Sequence, residues 1–148
     1  MLDAKTAMNY EGVGCSAHTY NLSLGPATVE TLRAATMAGF ANAKEGQPQT
    51  RSPYNIRFDI DEVETHLVSI AGFWSAKNAA RIELSGKVDV TDFQGTEVAR
   101  AIITGEGSYS LPGGCTDADK AIQAAGNKAI KRLGTDYVYK IINTNVLH

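Results

Sequence analysis

Polar and apolar positions along the chain follow two periods, and the switches between them lay out the elements. His18, Tyr20, Leu22 and Leu24 alternate with Thr19, Asn21 and Ser23, a period of two that predicts a strand with one buried face. Gly25-Pro26 stops it, and Pro26 suits a first helical turn, where its missing N–H costs nothing. Val29, Leu32, Thr36 and Phe40 then recur at three- and four-residue steps, with Ala35 and Ala43 beside them. This predicts an amphipathic helix ended by Gly46 and Pro48. After a polar loop, Ile56, Phe58 and Ile60 alternate with Arg57, Asp59 and Asp61 in a strand that begins at Tyr54. Its phase breaks near Glu62-Val63, which predicts a bulge, and Leu67, Val68 and Ile70 continue it. The stretch from Gly72 to Asn78 reads as a connection.

The next alternation is the clearest. Ile82, Leu84, Val88 and Val90 interleave with Arg81, Glu83, Ser85, Lys87 and Asp89, the mark of an antiparallel sheet with one solvated face. Asp92-Phe93-Gln94-Gly95 predicts a hairpin turn, and Val98 to Thr104 its returning strand. Gly105 to Gly114 reads as a flexible loop. Thr116 is expected to cap a second helix, with Asp119 in capping-box spacing and Asp117 near the positive helix end. Ile122, Ala125, Ala129 and Leu133 form its buried stripe, Gly134 ends or kinks it, and Tyr137, Val138, Ile141 and Ile142 make a last apolar segment, helical or extended. The order β-α-β-β-β-α predicts an α+β fold: a two-layer sandwich with an antiparallel sheet and both helices on one face. The whole chain, 1–148, is expected to be one domain, with residues 1–15 a loose lead-in.

Composition narrows the function classes. The 148 residues carry 14 Lys+Arg against 16 Asp+Glu, a net charge of -2. That balance excludes a nucleic-acid binder working by bulk charge, and equally a polybasic membrane-surface module. An apolar share of 43% argues against disorder. No apolar run reaches the roughly 18–20 residues of a membrane span, and no apolar h-region follows Met1. Gly12-Val13-Gly14-Cys15 imitates the end of a lipidation motif, but Asn9, Tyr10 and Glu11 precede it where an apolar run is needed.

Candidate chemistry is sparse. Gly12-Val13-Gly14-Cys15-Ser16-Ala17 loosely matches a dinucleotide fingerprint but precedes a strand, so no helix N-terminus stands ready for a pyrophosphate. Gly105-Glu106-Gly107-Ser108 lacks the Lys of a phosphate loop. No nucleophile elbow is present. Cys15 and His18 lack an orienting third group, and His66 and His148 are isolated. Asp59, Asp61, Glu62 and Glu64 fall mostly on a solvated face, where they could form a recognition edge for a basic partner. These residues assign no catalytic, cofactor or metal site. Two features remain. Cys15 and Cys115 both sit in Gly-rich loops and are either separate buried thiols or one disulfide. Phe73 and Trp74 in the connection, with Tyr109 in the later loop, are either folded onto the core or an aromatic anchor for a protein partner.

From Ala80 to Leu133 the sequence resembles the C-terminal half of small bacterial envelope lipoproteins of the YajG type. The matching stretches are Ala80-Arg81-Ile82-Glu83-Leu84, Val88-Asp89-Val90-Thr91-Asp92 with Gly95, Thr104-Gly105-Glu106-Gly107-Ser108, and Asp117-Ala118-Asp119-Lys120-Ala121-Ile122 with Leu133. Tyr20 to Gly25 and the helix from Pro26 to Ala43 are similar in layout. These are turn, cap and alternation signatures. The resemblance extends to lipoprotein folds of curli-secretion and flagellar accessory proteins. It implies a periplasmic or outer-membrane-associated, non-enzymatic domain that binds protein partners to assemble or stabilise an envelope structure, needs no cofactor and touches the membrane only through a lipid anchor outside this sequence. Self-association into a homo-oligomer accompanies that expectation, and nucleic acid does not. The alternative is a small-ligand-binding domain with a pocket between helices and sheet, lined by Tyr20, Phe40, Phe58 and Trp74.

Overall fold

The computed structural model describes residues 9–11, 20, 22–40, 43–44, 46, 53–71 and 75–144. The elements run β1 (Asn9–Glu11), α1 (Gly25–Gly39), β2 (Tyr54–Ala71), β3 (Ala76–Asp92), β4 (Glu97–Pro112) and α2 (Cys115–Tyr137), and α2 passes directly into a π-helical turn, Val138–Ile142. The sheet order is β1-β2-β3-β4, with β2, β3 and β4 an antiparallel meander and β1 parallel to β2. This is the expected α+β sandwich: α2 lies against the inner face of β3 and β4, and α1 packs on α2 and the π turn.

Strict alternation drives the meander. Every even position of β3 from Asn78 to Val90 is buried, and the odd positions face outward. The bulge expected near Glu62 is there, as a register shift between Ile60 and Glu62. Opposite it stands Gly86, where a Cβ would meet the Ile60 side chain at 2.3 Å and the Asp59 carbonyl at 2.7 Å, so the bulged strand needs a glycine across from it. The Asp92 turn also forms as read. Asp92 Oδ1 accepts the Gln94 and Thr96 N–H groups at 2.8 and 2.9 Å, and Gly95 takes a φ of 83°, a conformation that favours glycine.

Four expectations are corrected. Residues 22–24 form no strand; Leu22 and Leu24 instead approach α2 at Gly126, and the described N-terminal strand is β1, at Asn9–Glu11. Helix α1 stops at Gly39, short of Gly46. Phe40 turns extended there, and Gly39 sits so close to Ile142 that a Cβ would lie 2.5 Å from its Cγ2. Thr116 is not the cap of α2: Gly114 holds the N-cap position without a side-chain bond, and the helix starts at Cys115. Gly134 neither ends nor kinks the helix, which runs on to Tyr137 with Gly134 buried against Thr31 of α1.

The largest correction concerns Gly105 to Gly114, read as a flexible loop. Most of it is strand: β4 continues to Pro112. Gly105 and Gly107 point inward and are buried. A Cβ on Gly105 would lie 2.1 Å from the Ala129 carbonyl, and one on Gly107 1.9 Å from the Ala125 carbonyl. The backbone of α2 thus rests directly on the backbone of β4, which only residues without side chains permit. The facing positions of α2 (Ala118, Ala121, Ala125 and Ala129) are small and fully buried for the same reason.

Length also explains what stays exposed. Strands of 16 to 18 residues span up to about 55 Å, whereas the 23 residues of α2 cover about 35 Å. At the Asp92 turn the meander outruns the helix and Phe93 stays 60% exposed, whereas Ile70, paired with Lys77 in the outward-facing set of β2, is 62% exposed on the solvated face.

Gly107→Ala and Gly105→Ala are each expected to lower stability by at least about 1–3 kcal/mol in urea unfolding, because the obstructing atoms are backbone. Gly114→Ala, with open space around it, should change it by less than about 1 kcal/mol.

Candidate functional site

Side chains at three places fasten α2 and its flanks to the sheet and to α1, two of them by bonding backbone groups. The first is the entry to α2. Asn78 is buried on β3, 1% exposed. Its amide donates to the carbonyls of Gly113 and Gly114 at 3.1 and 2.8 Å, and its Oδ1 accepts from the Ser69 hydroxyl on β2. The next carbonyl, that of Cys115, accepts the Tyr20 hydroxyl at 2.9 Å. Three successive carbonyls are therefore held by side chains, which orients the start of the helix without a capping side chain on its N-cap residue.

The second is the exit of α2. Tyr137 is fully buried, meets Phe58 edge-on with ring centroids 5.0 Å apart, and shares a 3.0 Å hydrogen bond between its hydroxyl and that of Thr36 on α1. Burial pushes the phenol pKa up, and the bond to Thr36 pulls it partly back. The third lies along the outer edge of β4. Asp136 Oδ2 accepts the Thr104 N–H at 2.9 Å, Lys140 Nζ donates to the Ile102 carbonyl at 2.8 Å, and the two side chains pair with each other at 2.8 Å. Lys128 Nζ adds a bond to the Ser108 carbonyl at 3.1 Å and lies 4.8 Å above the ring of Tyr109.

The outer face of the sheet is a lattice of charges. Cross-strand register aligns Arg57, Asp89 and Arg100 in one row and Glu64, Glu83 and Glu106 in another. Arg100 binds Asp89 at 2.6 Å and also Glu97, and Arg81 spans Glu83 and Glu106 at 2.7 and 3.2 Å. The Arg100 hydrogen bond, with its charge and that of Lys87, holds the Asp89 carboxyl below the usual range against a smaller opposing push from desolvation. Exposed pairs of this kind add little stability; they set the polarity of the face. The carboxylates Asp59, Asp61, Glu62 and Glu64 are all exposed, as the alternation implied. His66 is exposed too, 3.8 Å from Glu64. Among the described residues no group of three or more His, Cys, Asp or Glu is arranged to hold a metal.

The residues singled out in the sequence fare differently. Cys115 is the first residue of α2, half-buried, whereas Cys15, Phe73 and Trp74 lie outside the described residues. Tyr109 sits on β4 rather than in a loop, 41% exposed beneath Lys128. Tyr20, Phe40 and Phe58 are partly buried against the core. A cavity of about 350 Å³ opens between α1 and α2, lined by Ala27, Thr31 and Ala35 on one side and Ile130, Lys131 and Gly134 on the other. Sequence reasoning missed Asn78 and the Asp136–Lys140 pair. The four-residue spacing of the pair was visible as helix geometry, but its backbone targets on β4 were not.

No family model matches the chain, and no curated protein matches it. Among solved structures it is similar to "a putative lipoprotein from Caulobacter crescentus CB15", with a TM-score of 0.50 and 14% identity over 90% of this chain and 87% of that one. At this identity the likeness establishes a shared fold over nearly the whole of both chains.

The raised pKa of Tyr137 has a definite sign. Its folded state favours the protonated phenol, so its contribution is complete below the ordinary tyrosine value of 10.0 and is lost as pH rises through the higher folded value. In unfolding measured as a function of pH, wild type should lose more stability than Tyr137→Phe above pH 10.0. At neutral pH the variant should be weaker by about 0.5–1.5 kcal/mol for the lost bond to Thr36.

Proposed function

We propose that this chain is a non-enzymatic accessory domain of the bacterial cell envelope, of YajG lipoprotein type, located in the periplasm or at the outer membrane. It acts by binding protein partners and so helps to assemble or stabilise an envelope structure. The observation that carries the reading is the fold shared with the Caulobacter protein described as a lipoprotein, taken with the resemblance of the stretch from Ala80 to Leu133. The chemistry of the described surface is in keeping with it: a charged sheet face and an exposed aromatic at Tyr109 offer recognition. Fractionation of the native host, with mass spectrometry of the mature N-terminus, tests it. A signal-cleaved or lipidated form in the envelope fraction supports the reading; an unprocessed cytosolic form overturns it.

An exported domain of this kind folds where thiols oxidise, and we place Cys15 and Cys115 in one disulfide. Two observations support the bond. Cys115 is not a free thiol, and Tyr20, five residues after Cys15 in the chain, donates its hydroxyl to the Cys115 carbonyl at 2.9 Å. The bridge would close about 100 residues and tie the N-terminal stretch to the start of α2. Peptide mapping without reductant should recover the two cysteine peptides joined. Cys115→Ser should lower stability by about 2–4 kcal/mol, and a wild type indifferent to reductant would count against the bond.

The cavity between α1 and α2 sustains a second reading, a small-ligand site. Its volume of about 350 Å³ is that of a small pocket, and Lys131 is the charged residue on its rim. Titration with fatty acids and lysophospholipids, followed by thermal shift, discriminates. Saturable stabilisation that Ala35→Leu abolishes would favour this reading, and no shift with any probe would remove it.

A further inference from the structure

We propose that the Asp136–Lys140 pair is a latch that holds the free edge of β4 closed, and that the partner this edge fits once unlatched is a second copy of the chain. Among the described residues β4 is the terminal strand of the sheet, with β3 on one side only. Along its other side, alternate residues turn their N–H and C=O groups outward. Two successive outward groups, the Ile102 carbonyl and the Thr104 N–H, are taken by Lys140 Nζ at 2.8 Å and Asp136 Oδ2 at 2.9 Å. The ion pair between those side chains, at 2.8 Å, keeps donor and acceptor together. One pair thus supplies what a strand laid along the edge would supply, and an added strand must displace it. Further along the edge, Lys128 occupies the Ser108 carbonyl at 3.1 Å.

The charge pattern of β4 says what would pair there. In an antiparallel ladder of two β4 strands with a two-fold at Ile103, Ile102 of each copy faces Thr104 of the other, and Arg100 faces Glu106. Both charged pairs are of opposite sign and repeat on either side of the axis, which favours that register. Ile102, 64% exposed in the single chain, would gain cover at the centre. The latch sits over the same central groups, so the edge best suited to self-pairing is the one the pair blocks. This inference rests on the edge geometry alone and is independent of where the protein resides.

Hydrogen exchange and sedimentation on the full chain test it together. At a concentration where both are single chains, the Thr104 amide of wild type should exchange at least about tenfold more slowly than that of Asp136→Ala/Lys140→Ala, where its charged acceptor is gone. The double variant should show a mass that rises with concentration from one chain to two, while wild type stays at one over the same range. Adding Glu106→Arg to the double variant should return it to a single chain. Unchanged exchange at Thr104 would overturn the latch, as would a wild type that pairs as readily as the double variant. A folded double variant that stays single, or a dimer indifferent to Glu106→Arg, would overturn the self-pairing edge. If the double variant does not fold, Lys140→Met keeps the apolar stem and removes the donor. A concentration-dependent dimer sensitive to Glu106→Arg is then the expected result, and a strictly single chain the overturning one.

Discussion

The contact on which the rest of the structure depends is the meeting of two backbones, that of α2 at Ala125 and Ala129 with that of β4 at Gly107 and Gly105. A helix on a sheet ordinarily stands off by the depth of interleaved side chains. Here the two glycines and the alanine stripe remove that layer locally, so α2 lies low across β4. The consequences spread from that point. The helix is close enough for Lys128, Asp136 and Lys140 to reach main-chain groups of β4. Its far end places Tyr137 against Phe58 and Thr36, which brings in α1. Larger residues of the helix, such as Ile122 and Leu133, are buried in the same core.

Side-chain bonds to backbone are the second organising device. Asn78 and Tyr20 hold three carbonyls at the entry to α2, and the Asp136–Lys140 pair holds two edge groups near its exit. At the edge of β4 the polar side chains stand where the strand would otherwise leave backbone groups unmatched. Asn78 is the more demanding, because its own amide is buried and has no water in exchange. The outer face works differently. Its ion pairs are exposed, and their effect is to keep a broad sheet face polar and its rows of charge fixed in order.

The described residues present a charged sheet face, an aromatic under a lysine and a strand edge occupied by its own helix. An edge strand is a hazard in any protein that meets many others, and covering it with charged side chains is a common protection. Here the cover comes from the helix that packs beside the strand.

The sequence by itself determined the class of fold, the meander and its turn. A period of two in β2 and β3, the broken phase at Glu62 and the Asp92–Gly95 turn are local properties, legible because each residue faces either core or solvent according to its neighbours in the chain. The stripe of α2 was legible for the same reason. Tertiary structure alone decided the role of the glycines. Gly105 and Gly107 read as loop residues because glycine normally weakens a strand, and only the helix lying on them shows why they are required. It also brought Ile142, distant in sequence, against Gly39 at the last residue of α1. The candidate sites divide in the same way. Cys115 and Tyr109 drew notice by residue type, whereas Asn78, Asp136 and Lys140 are ordinary polar residues whose importance comes from carbonyls and amides far along the chain. A backbone group left over by one element has no signature in sequence, and the side chain that satisfies it becomes recognisable only when the two are brought together.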